Sequence, residues 1–158
     1  MRQAVVMQMT WTGAPTLYYG DEAGVCGFTD PDNRRTYPWG KEKQELLEFH
    51  KEAISIHKES SALRNGSLDI LYGENNVVAY ARFDKDETIV VVINRGSEKN
   101  ELTIPVWRAE VPKQCEMEQI LYSYADRYSV DSVLLPVDEG NLTLYMGENA
   151  AAILRYRK

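Results

Sequence analysis

The sequence predicts an α+β protein, with a mainly helical part over residues 1–66 and an all-β part over residues 67–158. A long helical pattern runs from about Lys41 to Leu63. Leu46, Leu47, Phe49, Ala53, Ile54 and Ile56 fall toward one side of it, and Glu42, Glu45, Glu48, Glu52 and Lys58 fall mostly elsewhere. Gly66 stops this pattern, and the hydrophobic period then shifts to that of strands. Eight short runs follow, most of them separated by Gly, Asn, Asp or Pro clusters, which is the mark of an antiparallel sandwich or open barrel.

Taken in order, residues 2–10 contain no helix breaker and suit a helix that Thr12-Gly13 ends. Pro15 suits the start of a strand, and Thr16 to Tyr19 are mostly β-favouring, which predicts a short strand with Tyr18 and Tyr19 in the core. Gly20 and Gly24 then permit a turn, and the charged loop Asp30-Pro31-Asp32-Asn33-Arg34-Arg35 leads to Pro38-Trp39-Gly40 and the long helix. The later strands are expected at 67–72, 77–83, 88–94, 101–106, 116–123, 133–137, 141–145 and 151–156. Their core is expected to hold Val90, Val92, Leu102, Ile104, Leu121, Leu144, Ile153 and Tyr156, each from a strand with one buried face.

Composition excludes several function classes. With 44% hydrophobic and 27% charged residues the chain has an ordinary globular balance. Its net charge of -6 is spread without a basic stripe, so nothing would neutralise a phosphate backbone, and no nucleic acid partner is expected. The longest apolar runs are strand-length and no secretory leader is visible, so no membrane partner is expected and a cytoplasmic location is the working expectation. Cys26 and Cys115 lack metal-ligand spacing and read as free thiols, with a disulfide between them as the lesser alternative. His50 and His57 lie about 10 Å apart along a helix, too far to share one metal unaided, and read as packed or interfacial histidines. No cofactor or metal site is expected.

Cleaving a glycosidic bond usually takes two carboxyl groups about 5 to 9.5 Å apart. Asp21 and Glu22 are adjacent and would point to opposite faces of a strand, so they suit turn hydrogen bonds better than catalysis. The 30–35 loop holds carboxylates and two guanidinium groups close together, the kind of planar hydrogen-bonding groups that bind sugars. On composition alone a solvated, self-paired loop is the favoured reading, and its position just after a predicted strand shifts the balance toward a site. Tyr37 and Trp39 are balanced between stacking platforms for a pyranose ring and a hydrophobic plug over a helix end.

Gly13-Ala14-Pro15-Thr16-Leu17-Tyr18-Tyr19-Gly20-Asp21-Glu22 resembles the segment at barrel strand eight of the alpha-amylase family, glycoside hydrolase family 13. The 30–35 loop is similar to that of its neopullulanase, cyclomaltodextrinase and maltogenic amylase branch. Leu46-Leu47-Glu48-Phe49 and Ser61 to Gly66 resemble the last barrel helix and its exit. The resemblance implies that residues 1–66 are the end of a (β/α)8 barrel, a fold of about 250 residues when complete, and that residues 67–158 are the C-terminal β-sandwich domain.

It also implies a retaining α-glucan hydrolase acting on α-1,4 bonds of maltooligosaccharides, cyclodextrins or pullulan, or a transglycosylase of the same family. Asp30 and Arg34 would contact the sugar on the non-reducing side of the cleaved bond. The family's catalytic carboxylates come from earlier barrel strands and neither His50 nor His57 is followed by Asp, so no catalytic residue is carried over and the chain is expected to be inactive alone. The competing reading is a non-catalytic β domain that binds carbohydrate or braces the barrel. An unpartnered barrel strand further predicts a homo-oligomer, its contacts centred on Val5, Met9, Leu17, Tyr19 and the apolar face of the 41–63 helix.

Overall fold

The computed structural model describes residues 1–158. Three helices precede the β part: α1 (Arg2–Thr10), α2 (Gln44–Glu59) and α3 (Ser61–Asn65). The 41–63 pattern is therefore two helices rather than one. Ser60 breaks it with extended backbone, its side-chain oxygen accepting from Leu63 N to cap α3 while its hydroxyl donates to Glu87 Oε1 at 2.6 Å. Nine strands follow: β1 (Ser67–Glu74), β2 (Val77–Phe83), β3 (Glu87–Asn94), β4 (Asn100–Ile104), β5 (Cys115–Ser123), β6 (Tyr128–Ser129), β7 (Val133–Asp138), β8 (Asn141–Met146) and β9 (Ala150–Arg157). Eight are the runs expected from sequence. β4 stops at Ile104 because Pro105 has no N–H to donate, and residues 106–109 form a 3-10 turn instead.

All nine strands belong to one antiparallel sheet, ordered β1-β2-β3-β9-β5-β7-β8-β4 with β6 alongside β5. Register shifts at Leu71 in β1 and Ile120 in β5 mark irregularities of the kind that bend strands. The sheet folds over itself around a core of twenty residues that includes Val90, Val92, Leu102, Ile104, Met117, Leu142, Leu144 and Leu154. A second core of fourteen lies between the sheet and the helices, joining Val5, Val6 and Met9 of α1, Phe49 and Ala53 of α2 and Leu63 of α3 to Tyr80, Ile89, Val91, Leu121 and Ile153.

This second core corrects two expectations. β2, β3 and β9 are buried on both faces, which is why β3 is apolar from Ile89 to Ile93 instead of alternating. Leu121 and Ile153 belong to the helix-facing layer, and Tyr156 is half-buried at the edge of the other. Val5 and Met9 are each 2% exposed beneath α2 and the sheet, so they are not available to centre a contact between copies.

Candidate functional site

Residues 11–43 leave α1 and return to α2 without forming a strand. Thr16 to Tyr19, expected as a strand, find no neighbouring strand to share a ladder with. What holds this stretch is side-chain bonding: the Gln8 amide donates to Thr16 O, and the Tyr19 hydroxyl donates to Arg35 O at 2.9 Å. Tyr18 and Tyr19 are correspondingly not core residues. Their rings lie against each other at 4.9 Å and both are exposed.

The turn that follows is built on glycine. Gly20 (φ +92°) and Gly24 (φ +74°) take the left-handed backbone that side chains disfavour, letting Ala23 N and Val25 N both donate to Gly20 O. Glu22 accepts from Gly20 N at 3.0 Å, so it closes the turn as its position suggested. Ala23 is buried, and its carbonyl accepts from Lys43 N at 3.1 Å, tying the turn to the start of α2.

Beyond this anchor stands the charged loop. Arg34 Nε meets Asp30 Oδ1 at 2.7 Å, with both side chains more than half exposed. Asp32 is the loop's organiser: it accepts from Arg35 at 2.6 and 3.1 Å and from Phe28 N at 2.9 Å. The Arg35 bond, then the Phe28 amide, hold its carboxyl below the usual carboxylate range. Gly27 is required for close approach, because a Cβ there would stand 2.6 Å from Asn33 Cα.

Tyr37 and Trp39 form the second unit, with ring centroids 4.6 Å apart and planes tilted by 50°. Trp39 is 81% exposed. Partial desolvation, followed by the nearby charges of Glu22 and Glu42, raises the Tyr37 phenol above its ordinary pKa. Trp39 is presented by a turn in which Lys41 N donates to Pro38 O, and Glu42 accepts from Gly40 N.

The structure thus joins Asp30 to Arg34 and Tyr37 to Trp39, as two pairs displayed on one loop. Two contributions were not anticipated. Asp32 and Arg35 form their own ion pair, and Glu22 lies beside Tyr37 although fifteen positions away in sequence. The histidines are packed: His50 Nδ1 lies 2.8 Å from Leu46 O and His57 Nδ1 lies 2.7 Å from Met9 O. Both cysteines are free thiols.

Residues 68–120 match the family described as Maltogenic Amylase, C-terminal domain. The chain is 42% identical over 110 residues to an amylopullulanase of Thermoanaerobacter thermohydrosulfuricus, covering 63% of this chain and 8% of that protein. It is 40% identical over 105 residues to a cyclomaltodextrinase of Geobacillus thermopakistaniensis, covering 64% of this chain and 18% of that one. Among solved structures, an alpha-amylase from Geobacillus thermoleovorans complexed with acarbose superposes with a TM-score of 0.84 at 26% identity, over 99% of this chain and 33% of the other.

A mostly antiparallel β protein carrying this fold is of the class found at the C-terminal end of α-glucan-active glycosidases. Over residues 68–120 this chain is similar to the maltogenic amylase C-terminal domain, and over a longer stretch it is similar to proteins named amylopullulanase and cyclomaltodextrinase and to an alpha-amylase structure. It spans under a fifth of the length of these two sequence relatives.

Proposed function

We propose that this chain is the part of an α-glucan-active glycoside hydrolase that supplies a sugar-contacting loop and a β domain bracing it, with residues 1–66 forming the end of the catalytic barrel. The enzyme would cleave α-1,4-glucosidic bonds of maltooligosaccharides, cyclodextrins or pullulan with retention. The observation that carries this reading is the loop itself. An exposed ion pair and an exposed aromatic pair are displayed together by a turn anchored in buried structure.

Exposed ion pairs contribute little to stability. Asp30 and Arg34 are thus available to exchange each other for sugar hydroxyls, as charged donors and acceptors do, and Trp39 offers a free ring face to a pyranose. The chain alone would bind without cleaving, because the paired carboxylates that retention requires are not among the residues the resemblance carries over. The second reading, a bracing domain, draws support from the core shared by α1–α3 and the sheet. The two are compatible in one chain. Association between copies would have to use exposed groups such as Met7, Trp11, Tyr18 and Tyr19.

Titration of the chain with maltoheptaose, followed by tryptophan fluorescence and calorimetry, tests the loop. Saturable binding weakened at least fivefold by Trp39→Ala and by Asp30→Ala, with no reducing sugar released, is the expected result. Binding indifferent to both substitutions, or glucan hydrolysis by the purified chain, would overturn it.

A further inference from the structure

The loop bearing Asp30, Arg34, Tyr37 and Trp39 departs from the carboxyl end of α1. Helix ends leave carbonyls without intrahelical partners, and here three of them are engaged from outside the helix. His57 reaches Met9 O from α2. Arg82, on β2, donates through Nη1 to Thr10 O at 3.1 Å and to Trp11 O at 2.8 Å. The other arm of the same guanidinium, Nη2, donates to Gly66 O at 3.0 Å, just past the end of α3.

Arg82 is 2% exposed and pairs with no carboxylate. The groups that compensate its charge are the carbonyl ends of two helices, where the backbone dipoles favour a cation. Its Nε has no partner at all, and burial pushes the guanidinium pKa down. A buried cation is a costly way to fill space, and an apolar side chain would serve packing better. What the guanidinium does that an apolar side chain cannot is fix three carbonyls in direction at once.

Its surroundings act on the same point of the chain. Tyr80, on the same face of β2, lies 2.6 Å from Thr10 Oγ1, and Trp11 stands edge-on to the Tyr80 ring at 5.1 Å. The course of the backbone through residues 10 and 11 is therefore set by the β part.

We propose that Arg82 is a positioning residue, through which the β domain sets the direction in which residues 12–43 leave α1 and hence where the sugar-contacting loop points. The role of the loop rests on the function proposed above; the clamp does not.

Amide hydrogen exchange on the 158-residue chain reads the clamp directly. Arg82→Met is expected to speed exchange of the bonded amides between Trp11 and Val25 at least tenfold while those of β3 and β9 stay within twofold, and to weaken maltoheptaose binding at least fivefold. Arg82→Lys, which keeps the charge without the fork, should fall between wild type and Arg82→Met. Should Arg82→Met fail to fold, the pattern in Arg82→Lys decides. Selective loosening of 11–25 supports positioning, whereas unchanged exchange, or equal loosening of every element, overturns it. If the wild-type chain binds no maltoheptaose, the reading of the loop fails while the exchange pattern still decides the role of Arg82.

Discussion

At the residue scale, Tyr80 shows how one buried hydroxyl links stability to pH. Thr10 donates its only proton to Val6 O, so the Tyr80 O–H is the donor in their contact. Burial is the main cause that pushes the phenol up to about 12 from an ordinary 10. A raised folded-state pKa leaves its stability intact below the unfolded value and removes it as pH climbs through the folded one. Wild type should therefore lose about 2 to 3 kcal/mol between pH 10 and 12 beyond what Tyr80→Phe loses. Urea melts of the two proteins across that range would show the difference, and parallel curves would refute it. Gly24 makes a second residue-scale prediction. Ala there must accept φ near +74° with its Cβ 2.5 Å from the movable Lys43 side chain, at a cost of about 1 to 2 kcal/mol. Thermal melts should register this as a lower midpoint, with the sheet's circular dichroism unchanged.

At the element scale, buried positions in either layer should be equally intolerant of truncation, although sequence reading assigned them to one layer. Leu144 lies between the folded halves of the sheet and Ile153 lies under the helices. Replacing either with Ala is expected to cost about 2 to 5 kcal/mol; an unmoved denaturation midpoint for either would contradict the layer assignment. The eight long strands were legible in sequence because turn residues punctuate them, Asn75-Asn76 and Glu139-Gly140 being left-handed pairs that only a few residue types accept. The putting of helices on one sheet face was not legible. Alternation is lost in β3 for the same reason that a buried helix loses it, and periodicity alone does not say what covers the second face. Thr16 to Tyr19 was misread because β propensity describes a residue's fit to a sheet, and no sheet reaches that segment. Asp30, Arg34, Tyr37 and Trp39 were readable as a group because they are close in sequence. Arg82 and the Glu22–Tyr37 proximity were not, since folding alone brings those groups together.

At the scale of the whole molecule, the helical and β parts share one apolar layer. A chain restricted to residues 67–158 would expose Tyr80, Ile89, Val91, Leu121 and Ile153 together, a patch of the size that drives association. It is expected to bind a hydrophobic dye and to melt well below the full chain; a monomer that does neither would show that the helices are dispensable to the sheet. The order of the sheet has a further consequence. β9, the last strand in the chain, lies between β3 and β5. Until it arrives, β3 has one open edge and an unbroken run of branched apolar residues, the combination from which intermolecular β pairing starts. During synthesis the sheet therefore cannot close strand by strand as it emerges, and β3 waits for its second neighbour until β9 has been made. A chain interrupted between Met146 and Ala150 would lack not an edge but the middle of its sheet, leaving two half-sheets with no strand to pair them.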